Sequence, residues 1–237
     1  MTLAMFRVMA LQFLRDPVAL VSTLVLPPLV FLVWATRAGT GGEATIRAAA
    51  TVSTLFVMIA AMRGALSLID ERDSGVADRI LAGGAGTGPV INGKFLFLLV
   101  QGVVLAGAVF AAAQLVHDLP VTRRIWLWLA TATVVSACAA GLALALAGAC
   151  RGRRRAVLLS GAAILLFALA GEGLAPRVLA TPWSPMLRWA APNAWASEAY
   201  VAILQRGAGP ATVWVAWAVL AAIGLAGLAV AHAVARR

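Results

Sequence analysis

The tract Gly88-Pro-Val-Ile-Asn-Gly93-Lys94 has the G-x-x-x-x-G-K spacing with which backbone N–H groups and an ammonium cradle nucleotide phosphates. Upstream, Leu66-Ser-Leu-Ile-Asp70-Glu71 has the form of the apolar run and acid that hold magnesium in such a site. The combination fails on its chemistry. Phe95 stands where a hydroxyl must reach the metal, no soluble strand precedes the glycines, and the acids come before the glycines rather than after them. His117 and His232 lack a second metal ligand at helical spacing. Cys138 and Cys150 lie twelve residues apart, about 18 Å at 1.5 Å per helical residue, too far to bridge. There is no H-E-x-x-H, no G-x-S-x-G and no paired intramembrane aspartate. The expectation is therefore no catalytic residue, no metal ligand and no cofactor bound by this chain. What remains is the chemistry of isolated ions in apolar surroundings, at Arg63 and at Glu172 between Gly171 and Gly173. Each admits two readings. A long or terminal side chain reaches the interface or a structural partner, or it lines a polar path.

The elements that must position these residues are membrane helices. Of 237 residues, 62% are hydrophobic and 12% charged, against roughly 25% charged in a soluble domain, and the mean hydropathy is +0.95. A bilayer core takes about 20 apolar residues per helix, which selects six spans at about 18–36, 46–69, 95–116, 125–149, 156–175 and 211–234. The first is expected to stay as a span, because Arg7 and Arg15 interrupt the preceding apolar pattern and no small-residue cleavage site follows. The net charge of +10 is spread over short loops instead of one face, which argues against nucleic acid as a partner. With the N-terminus inside, eleven basic residues fall on the cytoplasmic side against seven outside, RGRRR at 151–155 being the densest group. In that topology Trp34, Trp126, Trp128, Trp183, Trp189, Trp195, Trp214 and Trp217 all fall toward the outer boundary, where indole rings settle.

Residues 3–15 place Leu3, Met5, Phe6, Met9 and Phe13 opposite Arg7, Gln12 and Arg15, the pattern of a helix lying in the interface. Asp16-Pro17 ends it and starts the first span. Pro27-Pro28 remove two backbone donors in mid-span and must kink or interrupt the helix, as a packing feature or as a hinge. The turns at 37–47 and 117–124 are short. Two polar segments are not. Residues 70–94 carry a charged stretch and a Gly-rich tail, long enough for a docking surface. Residues 176–210 hold five of the ten prolines and three tryptophans, and read as interfacial or re-entrant helices with Asn193 near a helix start and Gly207 near its end. Small residues in Ser136-Ala-Cys-Ala-Ala-Gly141 and Ser160-Gly-Ala-Ala163 allow helices to approach closely.

This arrangement resembles the membrane subunit of ABC type-2 exporters. The specific likeness lies in the first cytoplasmic loop, where Glu71, Gly75, Asp78, Ile80-Leu81 and Gly93-Lys94 stand at the family's spacing. A looser likeness covers Asn193 to Gly207, with Glu198 between them and Pro192 before rather than after the asparagine. Gly84 stands where the family commonly has proline, and 83–88 is richer in glycine. The resemblance implies that a short helix around Asp73 to Ala82 inserts into a cleft of a separate ATP-binding subunit. Glu71, Arg72, Asp73, Gly75, Asp78, Arg79 and Leu81 would form the coupling surface, and Gly93 and Lys94 its end. It implies that ATP and Mg are bound by that partner, and that the chain pairs with a second copy or a second permease. Arg63 and Glu172 then become candidates for the translocation path.

The resulting expectation is an all-α integral membrane protein over residues 1–237, with six transmembrane helices, an N-terminal interfacial helix, a cytoplasmic coupling helix and outer re-entrant or interfacial helices before the last span. By the resemblance it is a multi-pass bacterial plasma-membrane permease, not an enzyme, with both termini cytoplasmic. Its cargo would be an amphipathic small molecule or lipid-like substrate. The alternatives are polysaccharide or glycolipid export within the same family, or a non-transporting scaffold that binds a cytosolic partner through the polar loop.

Overall fold

The computed structural model describes residues 1–38, 42–76, 86–171 and 189–235, and among these every regular element is helical. The chain runs through α1 (Thr2–Arg15), α2 (Pro17–Leu20), a π turn (Val21–Val25), α3 (Leu26–Ala38), α4 (Gly42–Ala65), α5 (Ser67–Asp73) and α6 (Thr87–His117). After a 3₁₀ turn (Thr122–Arg124) come α7 (Ile125–Ala149), α8 (Arg153–Ala170), α9 (Pro192–Leu204) and α10 (Pro210–Ala235).

Asp16 sets the first corner. Its carboxylate Oδ1 accepts the N–H groups of Val18 at 3.0 Å and Ala19 at 3.1 Å, and Pro17 fills the first helical position, where no donor is needed. The effect of Pro27-Pro28 is local. Neither proline carries an N–H, so the carbonyls one turn earlier lose their partners, and the helix widens so that the Leu26 N–H returns to Val21 O.

Helices α4, α6 and α7 pack on one another, with α3, α9 and α10 around them. The closest pairing is α7 with α10, where backbone meets backbone. A Cβ on Gly224 would lie 2.8 Å from Ala137 O, and one on Gly227 would lie 2.5 Å from the Gly141 carbonyl carbon. Because lipid tails are as apolar as leucine, helix association in a bilayer relies on this kind of contact. By contrast α8 turns Val157, Leu158, Leu159, Leu165 and Leu166 outward.

The two ends of the bundle differ. One gathers the start of α4, the end of α6, the start of α7, α9 and the start of α10, and carries the described tryptophans. There Phe110 lies tilted over Tyr200 at 4.6 Å and edge-on to Trp128 at 5.8 Å, and Trp217 Nε1 donates to Thr131 Oγ1 at 3.0 Å. The other end holds α1, α5, the start of α6 and the α7–α8 corner.

Five helical stretches are long and apolar enough to cross a membrane: Pro17–Thr36, Gly42–Asp73, Thr87–His117, Thr122–Ala149 and Pro210–Ala235. The expected fifth span at 156–175 corresponds to α8, which ends at Ala170; residues 172–175 lie outside the described set. The third span begins at Thr87, eight residues before the expected 95, so the polar tract up to Lys94 is helix.

A leucine at Gly141 or Gly227 has no free volume to enter and must separate α7 from α10. Overpacking of this kind costs about 1–3 kcal/mol, and a lowered midpoint of thermal unfolding in detergent is the expected result. Gly161→Ala, on an open face where a Cβ meets nothing within 4 Å, is expected to leave the midpoint unchanged or raise it.

Candidate functional site

The polar end is organised by three consecutive charges. Helix α5 follows a break at Leu66 and stops at Asp73, where Ser74 Oγ caps the Asp70 carbonyl at 2.7 Å and Gly75 takes φ +68°, a left-handed conformation that glycine adopts without strain. Successive helical residues point about 100° apart at 3.6 residues per turn, so Asp70, Glu71 and Arg72 reach three different neighbours. Asp70 accepts from Arg153 Nη1 at 2.5 and 2.6 Å, at the head of α8. Glu71 Oε1 accepts from Lys94 Nζ of α6 at 2.7 Å. Arg72 Nη1 donates to Gly148 O, in the last turn of α7, at 3.1 Å. The Asp70 carboxylate, by hydrogen bond and charge, also raises the Arg153 guanidinium above its ordinary range.

Lys94 is fully buried, and its ammonium also donates to Ser67 Oγ at 2.6 Å. An ammonium in that position is tolerable only when paired. Gly93, one residue before it, serves α1: a Cβ there would meet Met5 Cβ at 2.7 Å and Thr2 O at 2.8 Å. Phe6 and Phe13 then pack edge-on against Phe97 at 6.3 and 6.0 Å. Gly93-Lys94 therefore lies inside α6 and does not open it, and Gly88–Lys94 is helix where a phosphate cradle needs a loop. His232 Nε2 and Asn92 Oδ1, 2.9 Å apart, tie α10 to the same end.

Of the other residues singled out by sequence, Asp73 is exposed at the end of α5, so the helix that contains it ends there; Asp78, Arg79, Leu81 and Glu172 lie outside the described residues. Arg63 Nη1 donates to Ser22 Oγ in the π turn at 2.7 Å. At the opposite end, Glu198 accepts from Arg206 at 2.6 Å and Arg47 at 3.4 Å, and Arg47 also holds Glu43 at 2.8 Å, joining α9 to α4. Asn193 is buried against Gly171, and among the described residues neither its amide oxygen nor its nitrogen has a hydrogen-bond partner. Gly207 has φ +67°, beside the Arg124 guanidinium, which donates to Ala208 O at 3.0 Å.

Ser67 and Arg153 carry no sequence cue as partners, the first because it sits in an apolar run, the second because the charge of RGRRR is accounted for by topology alone. The Glu43–Arg47 spacing of four was the one visible cue to the outer ion cluster. Tyr200 also went unmarked. It is wholly buried, which pushes its phenol up from the ordinary range.

No individual curated protein matches the chain. A family model does, described as ABC-2 type transporter and aligned over residues 2–204, from the first residue of α1 to the last of α9. The chain belongs to the ABC-2 type transporter family, as a membrane permease whose family works with an ATP-binding partner subunit.

Proposed function

We propose that this permease crosses the membrane six times with both termini in the bacterial cytoplasm, pairs with a second copy, and exports its cargo when two separate ATP-binding subunits close against the segment that follows α5. The observation that carries this reading is the triple tie of α5. A push delivered just beyond Asp73 meets a helix bonded through Asp70 to α8, through Glu71 to α6 and through Arg72 to α7. In this reading Asp73, Asp78, Arg79 and Leu81 face the partner, Glu71 and Arg72 transmit, and Gly75 lets the chain turn between them. ATP and magnesium belong to the partner. Short outer connections at 37–47 and 117–124 favour an amphipathic small molecule or a lipid-like cargo over a polymer that needs an outer domain.

Two measurements test it. Removing Glu71 strands the buried Lys94 ammonium at a cost of about 3–5 kcal/mol, so Glu71→Ala is expected to lower the yield of folded permease and its unfolding midpoint, and Lys94→Met, which leaves the partly solvated Glu71, to lower them less. The double variant Glu71→Lys/Lys94→Glu is expected to recover part of that loss. Charge reversal at Asp78 is expected to leave the midpoint untouched and to reduce partner ATPase stimulation about tenfold, the equivalent of 1.4 kcal/mol of docking free energy. Stimulation that survives reversal at both Asp73 and Asp78, with normal assembly, assigns the segment no coupling role. Tight binding of the ATPase subunit with unaltered turnover supports the scaffold alternative instead.

A further inference from the structure

Beneath α1, between the π turn, α4 and α6, lies an open cavity of about 320 Å³, at the lower end of the roughly 300–1,000 Å³ of small-molecule sites. Its walls are mixed. Met9, Phe13, Leu66 and Phe97 are apolar, while Gln12 and Gln101 offer amides.

Four charged side chains line it: Asp16, Arg63, Asp70 and Arg153. Asp16 is engaged by the first amides of α2, and Asp70 and Arg153 are engaged by each other. Arg63 differs. Its one hydrogen bond goes to Ser22 Oγ, and no carboxylate lies within ion-pair distance of it among the described residues. A guanidinium carries five N–H donors in a planar fork that matches phosphate oxygens, so most of its capacity is open toward the cavity.

Depth identifies the source of such a phosphate. The residue after Arg63, Gly64, abuts Leu98, and α1 crosses α6 at Gly93 and Phe97. Arg63 is therefore level with α1 or just below it. The apolar face of α1 (Met5, Phe6, Met9 and Phe13) packs on α6, and its outward side mixes Leu3, Val8, Leu11 and Leu14 with Arg7 and Arg15, a composition that suits the headgroup layer, where apolar stems and cations both find partners. Val18, Val21, Leu24 and Val25 continue an exposed apolar strip past the cavity, along which acyl chains can run.

We propose that this cavity is a phospholipid site, in which Arg63 holds the phosphate of a lipid from the leaflet where α1 lies, Met9, Phe13 and Phe97 contact the glycerol region, and the acyl chains follow α2 and the π turn. It rests on the reading of α1 as an interfacial helix and not on coupling to an ATPase.

The test uses the full-length permease alone, purified in a phosphate-free detergent, with bound lipid counted by native mass spectrometry. Added phosphatidylglycerol is expected to give one retained lipid per chain, and diacylglycerol with the same tails none. Arg63→Gln is expected to reduce retention at least tenfold and Arg63→Lys less, while Arg155→Gln, outside the cavity, leaves it unchanged. Ala60→Phe fills the cavity without touching a charge and is expected to abolish retention even if Arg63→Gln does not fold. Equal retention of diacylglycerol, or retention that survives both Arg63→Gln and Ala60→Phe, overturns the proposal. Displacement by free sn-glycerol 3-phosphate also overturns it, because it assigns the cavity to a soluble anion.

Discussion

An ammonium without contact to solvent at the end of a membrane bundle fixes much of what surrounds it. Lys94 lies eight residues into a 31-residue apolar helix, and burial of an isolated charge there would cost several kcal/mol. Glu71 and Ser67 remove that penalty, and in doing so they tie α5 to α6. Once α5 is held, the charges on either side of Glu71 are committed as well: Asp70 faces the head of α8 and Arg72 the tail of α7. One buried pair thus sets the relation among four helices at the end of the molecule where the polar segment enters and leaves.

The bundle behind this junction is unevenly stiff. Packing of α7 on α10 leaves no room for a side chain at Gly224 or Gly227, and interfaces of that tightness move as a unit. The α2–α3 region is looser. Two prolines remove donors and a π turn absorbs the mismatch, so this helix has fewer regular bonds than its neighbours. Ser22 links it to α4 by accepting from the exposed Arg63, on the rim of the cavity under α1.

Most helices were legible as apolar runs, because in lipid each backbone must satisfy itself and length alone is diagnostic. The run 125–149 became Ile125–Ala149 and 211–234 became Pro210–Ala235. The start of α6 was not legible. Pro89, Asn92 and Lys94 read as a loop tail by hydropathy, yet Pro89 falls in the first turn, where no donor is needed, and Lys94 is neutralised by a partner 23 residues away in sequence. The same holds for the site. Glu71, Gly75, Gly93 and Lys94 stood out by spacing, but spacing carries no information on which of them face a partner and which face each other. Only the fold shows Glu71 turned inward and Gly93 placed for the approach of α1.

That inward turn changes the part Glu71 can play in a mechanism. If Glu71 met a cytosolic subunit directly, its removal would weaken docking and leave the permease intact. As the partner of a buried lysine, it affects docking only through the position of α5, since any loosening of α5 also releases its grip on α7 and α8. A loss of coupling in a Glu71 variant is therefore ambiguous, whereas the compensating charge exchange with Lys94 separates the two causes. It can restore the internal pair but cannot restore a contact that depended on a carboxylate facing outward.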